Sequence, residues 1–287
     1  RLRPPLIEAI ASLDLAWPAD AVVEDLSGRL ELVPGSVTIA GMTGRLEQPG
    51  LPATLAVDGS ILPRDASIDV EIACAELDAR TWFDATRDPT RDSMWIRRDL
   101  EGSLDARVRL RRAAGVGEIL AGIVGGRIEI DGEPATPGGP APRLELSLAS
   151  GEIAFSDDLT RFREAMILAG PAGGPITDRM LLDGSEPIDR SPWRFDCRWM
   201  DGRLGGSVAR TAIREFIPEI ETAWTGLEPL GPFSIDIAIE HDGRTSTSTL
   251  DLGSDGGTVV LGGERMPVRT ETPVRVGIDS ETIVVTG

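Results

Sequence analysis

Several common side chains are missing from this chain of 287 residues. There is no lysine, asparagine or tyrosine, and Gln48 is the one glutamine. Lysine, asparagine and tyrosine codons all open with two A/T bases, so we attribute their joint absence to a GC-rich genome. Aromatic residues make up only 4% of the chain, which argues against a carbohydrate-binding platform built on stacked rings.

Positive charge is also scarce. The formal net charge is −18, from 29 basic residues, all arginine, and 47 acidic residues. This sign repels nucleic-acid phosphates and anionic lipid headgroups. We therefore predict no nucleic-acid partner and no docking to membranes through a basic patch.

The sequence offers little for catalysis or metal binding. His241 is the single histidine and lies beside a predicted turn, where an exposed side chain without a catalytic role is expected. Cys74 and Cys197 fall on apolar strand faces and are expected to pack as small hydrophobic residues, although a disulfide between them stays open. No phosphate loop, dinucleotide fingerprint or nucleophile elbow occurs. The sequence predicts no enzyme, no metal site and no cofactor.

Acidic pairs occur, but 47 carboxylates make adjacent pairs expected by chance. The pairs considered are Asp157-Asp158, Glu219 with Glu221, and Asp251 with Asp255. The acidic segment 251–257 could bind calcium weakly, yet it matches no EF-hand loop and no calcium-binding repeat.

Alternation of apolar and polar residues is the clearest pattern. In 66–74, Ile68, Val70 and Ile72 share one face, while Asp69 and Glu71 point the other way. Similar rows run through 104–110, 144–148, 193–199, 235–239 and 274–278. Strands with one apolar face are typical of antiparallel sheets. With 33 glycines and 21 prolines, and turn signals such as Asp58-Gly59, the sequence predicts an all-β, elongated, twisted antiparallel sheet of repeated strand modules.

Helical spacing is limited to 5–13, 157–169 and 211–224. Two alternating apolar pairs around a turn recur at 30–39, 146–155 and 276–285. The second and third copies lie 130 residues apart, and the first lies 116 residues before the second. This spacing predicts three repeats: a shorter one over 1–94, a second over 95–223 with a helical insert near 157–169, and an incomplete third over 224–287.

The cadence of 22–61, VVEDLSGRLELVPGSVTIAGMTGRLEQPGLPATLAVDGSI, resembles the AsmA-like superfamily of envelope proteins, which includes TamB-type proteins. Later stretches at 95–110, 144–155 and 230–287 follow the same residue pattern. No run of about 20 apolar residues is present to span a bilayer. The chain opens at Arg1 without a methionine, so we expect a piece of a longer protein whose membrane anchor lies outside it.

The resemblance implies a periplasmic or cell-envelope location and a sheet curled into a hydrophobic groove for phospholipid acyl chains, with other envelope proteins as possible partners. The ten lipid-groove candidates are Ile68, Val70, Ile72, Leu104, Val108, Phe195, Ile235, Ile237, Val276 and Ile278. Charged neighbours such as Arg107, Arg109 and Asp236 should cover the opposite face. The alternative is a structural or scaffolding β module whose apolar faces close into a core without binding lipid.

Overall fold

A computed structural model of the chain describes most of its residues. The described ranges are 22–48, 50–62, 67–81, 99–113, 116–134, 139–156, 159–187, 192–202, 206–216, 228–229, 233–241, 246–253, 255–261, 264–269, 274–278 and 283–286. Beyond residue 240 the description concerns almost entirely the backbone.

Seventeen strands and one helix of ten residues account for nearly all of the described chain. The strands are β1 (Val23–Val33), β2 (Ser36–Leu46), β3 (Ala53–Leu62), β4 (Ser67–Asp78), β5 (Glu101–Ala113), β6 (Val116–Asp131), β7 (Arg143–Ser156), β8 (Leu159–Pro171), β9 (Asp178–Pro187), β10 (Trp193–Gly202), β11 (Glu228–Pro229), β12 (Phe233–His241), β13 (Ser246–Gly253), β14 (Asp255–Leu261), β15 (Glu264–Arg269), β16 (Val274–Ile278) and β17 (Ile283–Thr286). Helix α1 is Ser207–Phe216, and residues 79–81 form a short helical segment. The predicted all-β class, a twisted antiparallel sheet with few short helices, is confirmed.

The chain divides into two compact units, Arg1–Gly126 and Arg127–Gly287, with β6 running across the division. In the first unit the strand order is β1-β2-β3-β4-β5-β6, which follows the sequence. In the second unit it continues from the end of β6 as β7-β8-β9-β10-β12-β13-β16-β17. A separate three-stranded sheet has the order β11-β14-β15.

Alternation along β4 and β5 explains how the first unit forms. Val70 is opposite Leu110, and Ile72 is opposite Val108, so both apolar pairs lie on one face. On the other face the guanidinium of Arg107 lies 3.2 Å from the Glu71 carboxylate. A strand of this pattern can bury one face and solvate the other, which is what the sequence predicts.

Three strands carry a bulge of the same design. Gly41 in β2, Glu76 in β4 and Glu164 in β8 have positive φ angles of 56°, 62° and 46°. Each donates its backbone N–H to an aspartate on the next strand of the sheet: Asp58 at 2.6 Å, Asp105 at 3.0 Å and Asp183 at 3.3 Å. The aspartate gives a partner to a backbone group that the bulge removes from the ladder.

The pairing of the hairpins shows a repeat of 123 residues. Leu30 is opposite Ile39 in β1–β2, Ile153 is opposite Phe162 in β7–β8, and Val276 is opposite Val285 in β16–β17. The equivalent positions 30, 153 and 276 are therefore separated by 123 residues each time. In the following strands Asp58-Gly59-Ser60 returns as Asp183-Gly184-Ser185, 125 residues later. Gly59 opposes Val70 just as Gly184 opposes Phe195.

This register corrects the one predicted from sequence. The apolar pairs at 146–148 and 153–155 do not form a hairpin, because both lie within the single strand β7. The hairpin equivalent to β1–β2 is β7–β8, so the offsets of 116 and 130 residues are wrong. The predicted repeat boundaries at 94/95 and 223/224 lie in or next to segments outside the described residues and stay predictions.

The helical insert near 157–169 is also wrong, because β8 occupies that segment. Its bulge places Phe162 and Ala165 opposite Gly184 and Leu182 on the same face. The helical prediction rests on Leu159, Phe162 and Met166, but Met166 is opposite Leu181 and therefore lies on the other face of the strand from Phe162. Of the other two helical patterns, 5–13 lies outside the described residues, and 211–224 overlaps α1, which ends at Phe216 before Pro218.

Candidate functional site

The ten candidate groove residues fall into two groups, one in each unit. Those of the first unit are Ile68, Val70, Ile72, Leu104 and Val108. Val108 is 1% exposed and Val70 6% exposed. Val70, Ile72 and Val108 belong to one cluster with buried residues of β2 and β3, and the partly buried Ile68 packs against it. In the first unit the apolar face of the sheet is therefore largely a closed core.

The second group lies on β10, β12 and β16. Ile237 on β12 is opposite Cys197 on β10 and opposite Leu250 on β13, which in turn is opposite Val276 on β16. The register thus places Ile237 and Val276 in one row on one face. The same strand pairing places three further candidates in neighbouring rows of this face: Phe195, Ile235 and Ile278. The side chains of Val276 and Ile278 lie outside the described part.

The apolar face of the second unit is less closed than that of the first. Three rows cross it: Ile167–Met180–Trp199–Ile235, Ala165–Leu182–Cys197–Ile237 and Phe162–Gly184–Phe195–Ile239. Trp199 and Ile235 are buried, at 6% and 7% exposed. The other large side chains keep part of their surface exposed: Ile167, Met180, Leu182, Phe162, Phe195, Ile237 and Ile239. We call these seven residues the apolar face of unit 2.

One glycine shapes this face. Gly184 on β9 has no side chain, and the rings of Phe162 and Phe195 on the strands to either side meet across it. Their centroids are 5.3 Å apart, and the ring planes make an angle of 66°. Such an edge-to-face pair is favourable, and it forms the centre of the outermost row.

A buried carboxylate marks the other end of the face. Asp178, at the start of β9, is 2% exposed. Its Oδ1 accepts a hydrogen bond of 3.0 Å from the Trp199 indole nitrogen, and its Oδ2 accepts one of 2.6 Å from the Thr177 hydroxyl. A buried charge is costly unless hydrogen-bonded, so these contacts fix both Asp178 and the indole.

The opposite face carries the charges, in the positions predicted for them. On β4 and β5 Arg109 and Arg111 lie 3.3 Å and 3.7 Å from Asp69. On β10 and β12 Arg198 lies 2.8 Å from Asp236. This hydrogen bond and the negative charge of Asp236 raise the pKa of Arg198. Exposed pairs of this kind contribute little stability each, but they make the face polar.

The described residues were compared with the kinds of cluster that bind metal ions. No group of three or more His, Cys, Asp or Glu side chains there could hold a metal ion. Cys74 and Cys197 are both free and buried, and burial raises the pKa of each thiol to about 12, with a smaller effect of Asp236 at Cys197. They are uncharged at neutral pH. The side chain of His241, at the end of β12, lies outside the described part, as do 157–158 and 217–227.

Within the described part of the chain, no helix is both long enough and apolar enough to cross a membrane. Sequence reasoning missed Phe162, which it placed in a helix, and Asp178, for which no local pattern gives a signal. Gly184 had a signal, because Asp183-Gly184 repeats Asp58-Gly59.

Comparison of the chain with protein-family models, with curated proteins and with solved structures finds no match. The resemblance to the AsmA-like superfamily therefore stays a prediction from the sequence.

Proposed function

We propose that this chain is a non-enzymatic module of a cell-envelope protein, and that the apolar face of unit 2 holds phospholipid acyl chains. One observation carries the proposal: seven large apolar side chains share this face and remain partly exposed. Partly exposed apolar area is what a hydrocarbon chain would bury, at roughly 25 cal/mol per Å².

Two further features support the proposal. The charged residues lie on the other face, where Arg194 pairs with Asp196 and Glu240, and Arg198 pairs with Asp236, so an acyl chain on the apolar face meets no unpaired charge from them. The residue pattern of 22–61 supports a location in the cell envelope, since the AsmA-like proteins that it resembles act there.

The experiment measures lipid bound to the purified chain. The protein is extracted with organic solvent, and phospholipid is quantified by mass spectrometry. Ile237→Asp places a charge within the apolar face and should reduce bound phospholipid to background, because a carboxylate is not desolvated cheaply against hydrocarbon. Ile176→Asp is the matched control, since Ile176 is 52% exposed in the turn between β8 and β9. It should leave bound lipid unchanged.

The competing function is a structural module without lipid. It is favoured by the first unit, where Val108 is 1% exposed within a packed cluster. Val108→Asp should unfold this unit, not empty a groove, because it buries an unpaired charge. Absence of phospholipid from the wild-type chain, with a cooperative thermal transition, would support the structural module and contradict the lipid proposal.

A further inference from the structure

The two ends of the apolar face of unit 2 differ in burial. On β10 Phe195 is partly exposed, whereas Trp199 is 6% exposed. On β12 Ile239 is partly exposed, whereas Phe233 is 3% exposed. Phe195 is opposite Ile239 at one end of the two strands. Gly202, which follows Trp199 on β10, is opposite Phe233 at the other. We call the end at Trp199 and Phe233 the closed end of the face.

Neighbouring elements supply more buried residues at the closed end. Three side chains of β7, β8 and β9 there are at most 2% exposed: Leu144, Ala169 and Asp178. Helix α1 adds Val208 and Ala209, which are also buried. The helix is attached at this end by the Thr211 hydroxyl, which accepts a hydrogen bond of 2.8 Å from the backbone N–H of Glu133, in the connection from β6 to β7. The closed end is therefore part of a packed core.

Trp199 is held in place at the closed end. Its indole nitrogen donates a hydrogen bond of 3.0 Å to one oxygen of Asp178, whose other oxygen accepts one from Thr177. The ring also lies against Gly202, where an added Cβ would be 2.6 Å from the indole nitrogen. Turning the ring would take a donor away from a buried carboxylate, which is unfavourable. Trp199 is thus a fixed boundary between the apolar face and the buried residues of its closed end.

The burial of the closed end determines how a phospholipid can lie on the face. A headgroup has to stay in water, whereas an acyl chain gains free energy by leaving it. The outermost row provides partly exposed surface at Phe162, Phe195 and Ile239, and the closed end consists of buried residues. The terminal methyl group of an acyl chain is therefore expected near Trp199, with the headgroup beyond the outermost row.

We infer that Trp199 determines specificity on this face, by limiting the length of the acyl chain that the face accepts. This role rests on the proposed lipid function and adds to it the direction of the ligand. Trp199 lies four residues beyond Phe195, which is about 13 Å along a strand. Methylenes within this distance are buried against the face, whereas further ones meet the ring and stay in water. Asp178 is a positioning residue, since it acts through the indole ring.

The test measures the binding of a series of lysophosphatidylcholines to the full chain by calorimetry. Each probe carries one saturated acyl chain, the probes differ only in its length, and all are used below the concentration at which they form micelles. For the wild type, affinity should rise about four-fold for each added methylene, which corresponds to ~0.8 kcal/mol, up to a limiting length and no further. Trp199→Leu shortens the side chain and should move the limit to longer acyl chains. Trp199→Phe, a smaller truncation, should move it in the same direction by less.

Phe195→Leu is the matched control, because it removes an aromatic ring from the same strand at the other end of the face. It should weaken the binding of every probe by a similar factor and leave the limiting length unchanged. Thermal unfolding is measured for each variant, so that loss of the fold is separated from a changed length preference. If Trp199→Leu lacks a cooperative transition, Trp199→Phe decides alone, since it keeps an aromatic ring in the core.

The results separate the role of Trp199 from the proposed function. If the wild type binds none of the probes, the lipid function fails, and the role of Trp199 fails with it. If the wild type binds them but the limit is absent, or is the same in the Trp199 variants, lipid binding stands and the role of Trp199 is overturned. A limit that moves with Phe195→Leu and not with Trp199→Leu would also overturn it, because the acyl chain would then point the other way.

Discussion

The indole nitrogen of Trp199 on β10 donates a hydrogen bond of 3.0 Å to Asp178 on β9, and both residues are almost completely buried. Trp199 belongs to a row of the apolar face, and Asp178 lies next to it in the adjacent strand. The pair places a carboxyl group at the end of an apolar surface. The hydrogen bond fixes the indole ring against Gly202, whose added Cβ would lie 2.6 Å from the indole nitrogen.

Trp199→Phe should lower the free energy of unfolding by about 2 kcal/mol, because the buried carboxylate loses a donor and the core loses part of a ring. Urea denaturation measures the change. In an Asp178→Asn background the same substitution should lower the free energy of unfolding by less, since leaving a neutral amide without this donor is less unfavourable than leaving a carboxylate without it. Equal costs in the two backgrounds would mean that the hydrogen bond contributes nothing beyond packing.

The aspartates beside the bulges give a second prediction. Asp58→Ala and Asp183→Ala each remove the acceptor of a bulge N–H, from Gly41 and Glu164 respectively. Each should destabilise its unit by about 1 kcal/mol, the ordinary contribution of one hydrogen bond. Urea denaturation with one probe in each unit measures both. Asp69→Ala, a surface aspartate on β4 that accepts no bulge N–H, is the control and should change stability by less. A large effect at one position and none at its equivalent would contradict the structural repeat.

The strands were predictable from sequence because alternation is a local property. Within β4, β5, β10 and β12 every second residue is apolar over 68–74, 104–110, 193–199 and 235–239, and the register confirms the shared faces. Bulges are harder to predict from the sequence. The bulge at Glu164 interrupts the alternation of β8, a segment that the sequence predicts as a helix, and Asp58-Gly59, which the sequence predicts as a turn, lies inside β3. Each bulge depends on a partner in another strand, and a local pattern does not contain that partner.

The candidate site was predictable only as a face. Alternation assigns Ile237 and Phe195 to the apolar side, but burial depends on what packs above a strand. The same pattern therefore describes Val108, 1% exposed, and Ile237, which is partly exposed. The role of Gln48 could not be predicted from the sequence either. Its amide nitrogen donates to the carbonyls of Leu51 and Glu76, and its oxygen accepts from the Asp78 backbone, so one loop is tied to the bulge of β4.

The glycines at close strand approaches give a third prediction. Gly59 has a φ of 153°, and a Cβ there would overlap the Asp69 carbonyl and lie 2.6 Å from the Val70 Cα. Gly59→Ala should lower the free energy of unfolding by about 3 kcal/mol, since the backbone of the next strand cannot move aside easily. Gly50→Ala is the matched control: its φ is 89°, but nothing lies within 4 Å of the added Cβ. Its cost should stay near 1 kcal/mol. Equal losses at the two positions would mean that the strand approach has no energetic effect.

The cysteines give a fourth prediction, on alkaline pH. Burial raises the pKa of Cys74 and Cys197 from 9.0 to about 12. The chain has no lysine and no tyrosine, so these two thiols are the only side chains whose ordinary pKa lies between 8 and 11. Above pH 9 the unfolded chain loses thiol protons that the folded chain keeps. The unfolded state then binds fewer protons, and the free energy of unfolding falls as pH rises.

Urea denaturation between pH 7.5 and pH 11 should therefore show constant stability up to about pH 8.5 and a progressive loss above it. The slope approaches ~1.4 kcal/mol per pH unit for each thiol when the unfolded thiol is fully ionised and the folded one is not. The double variant Cys74→Ala, Cys197→Ala should start less stable, because both side chains are buried, and then show little dependence on pH over the same range. Each single variant should keep about half of the dependence. If the double variant lost stability with pH as steeply as the wild type, the thiols would not be its cause, and deprotonation elsewhere in the chain would have to account for it.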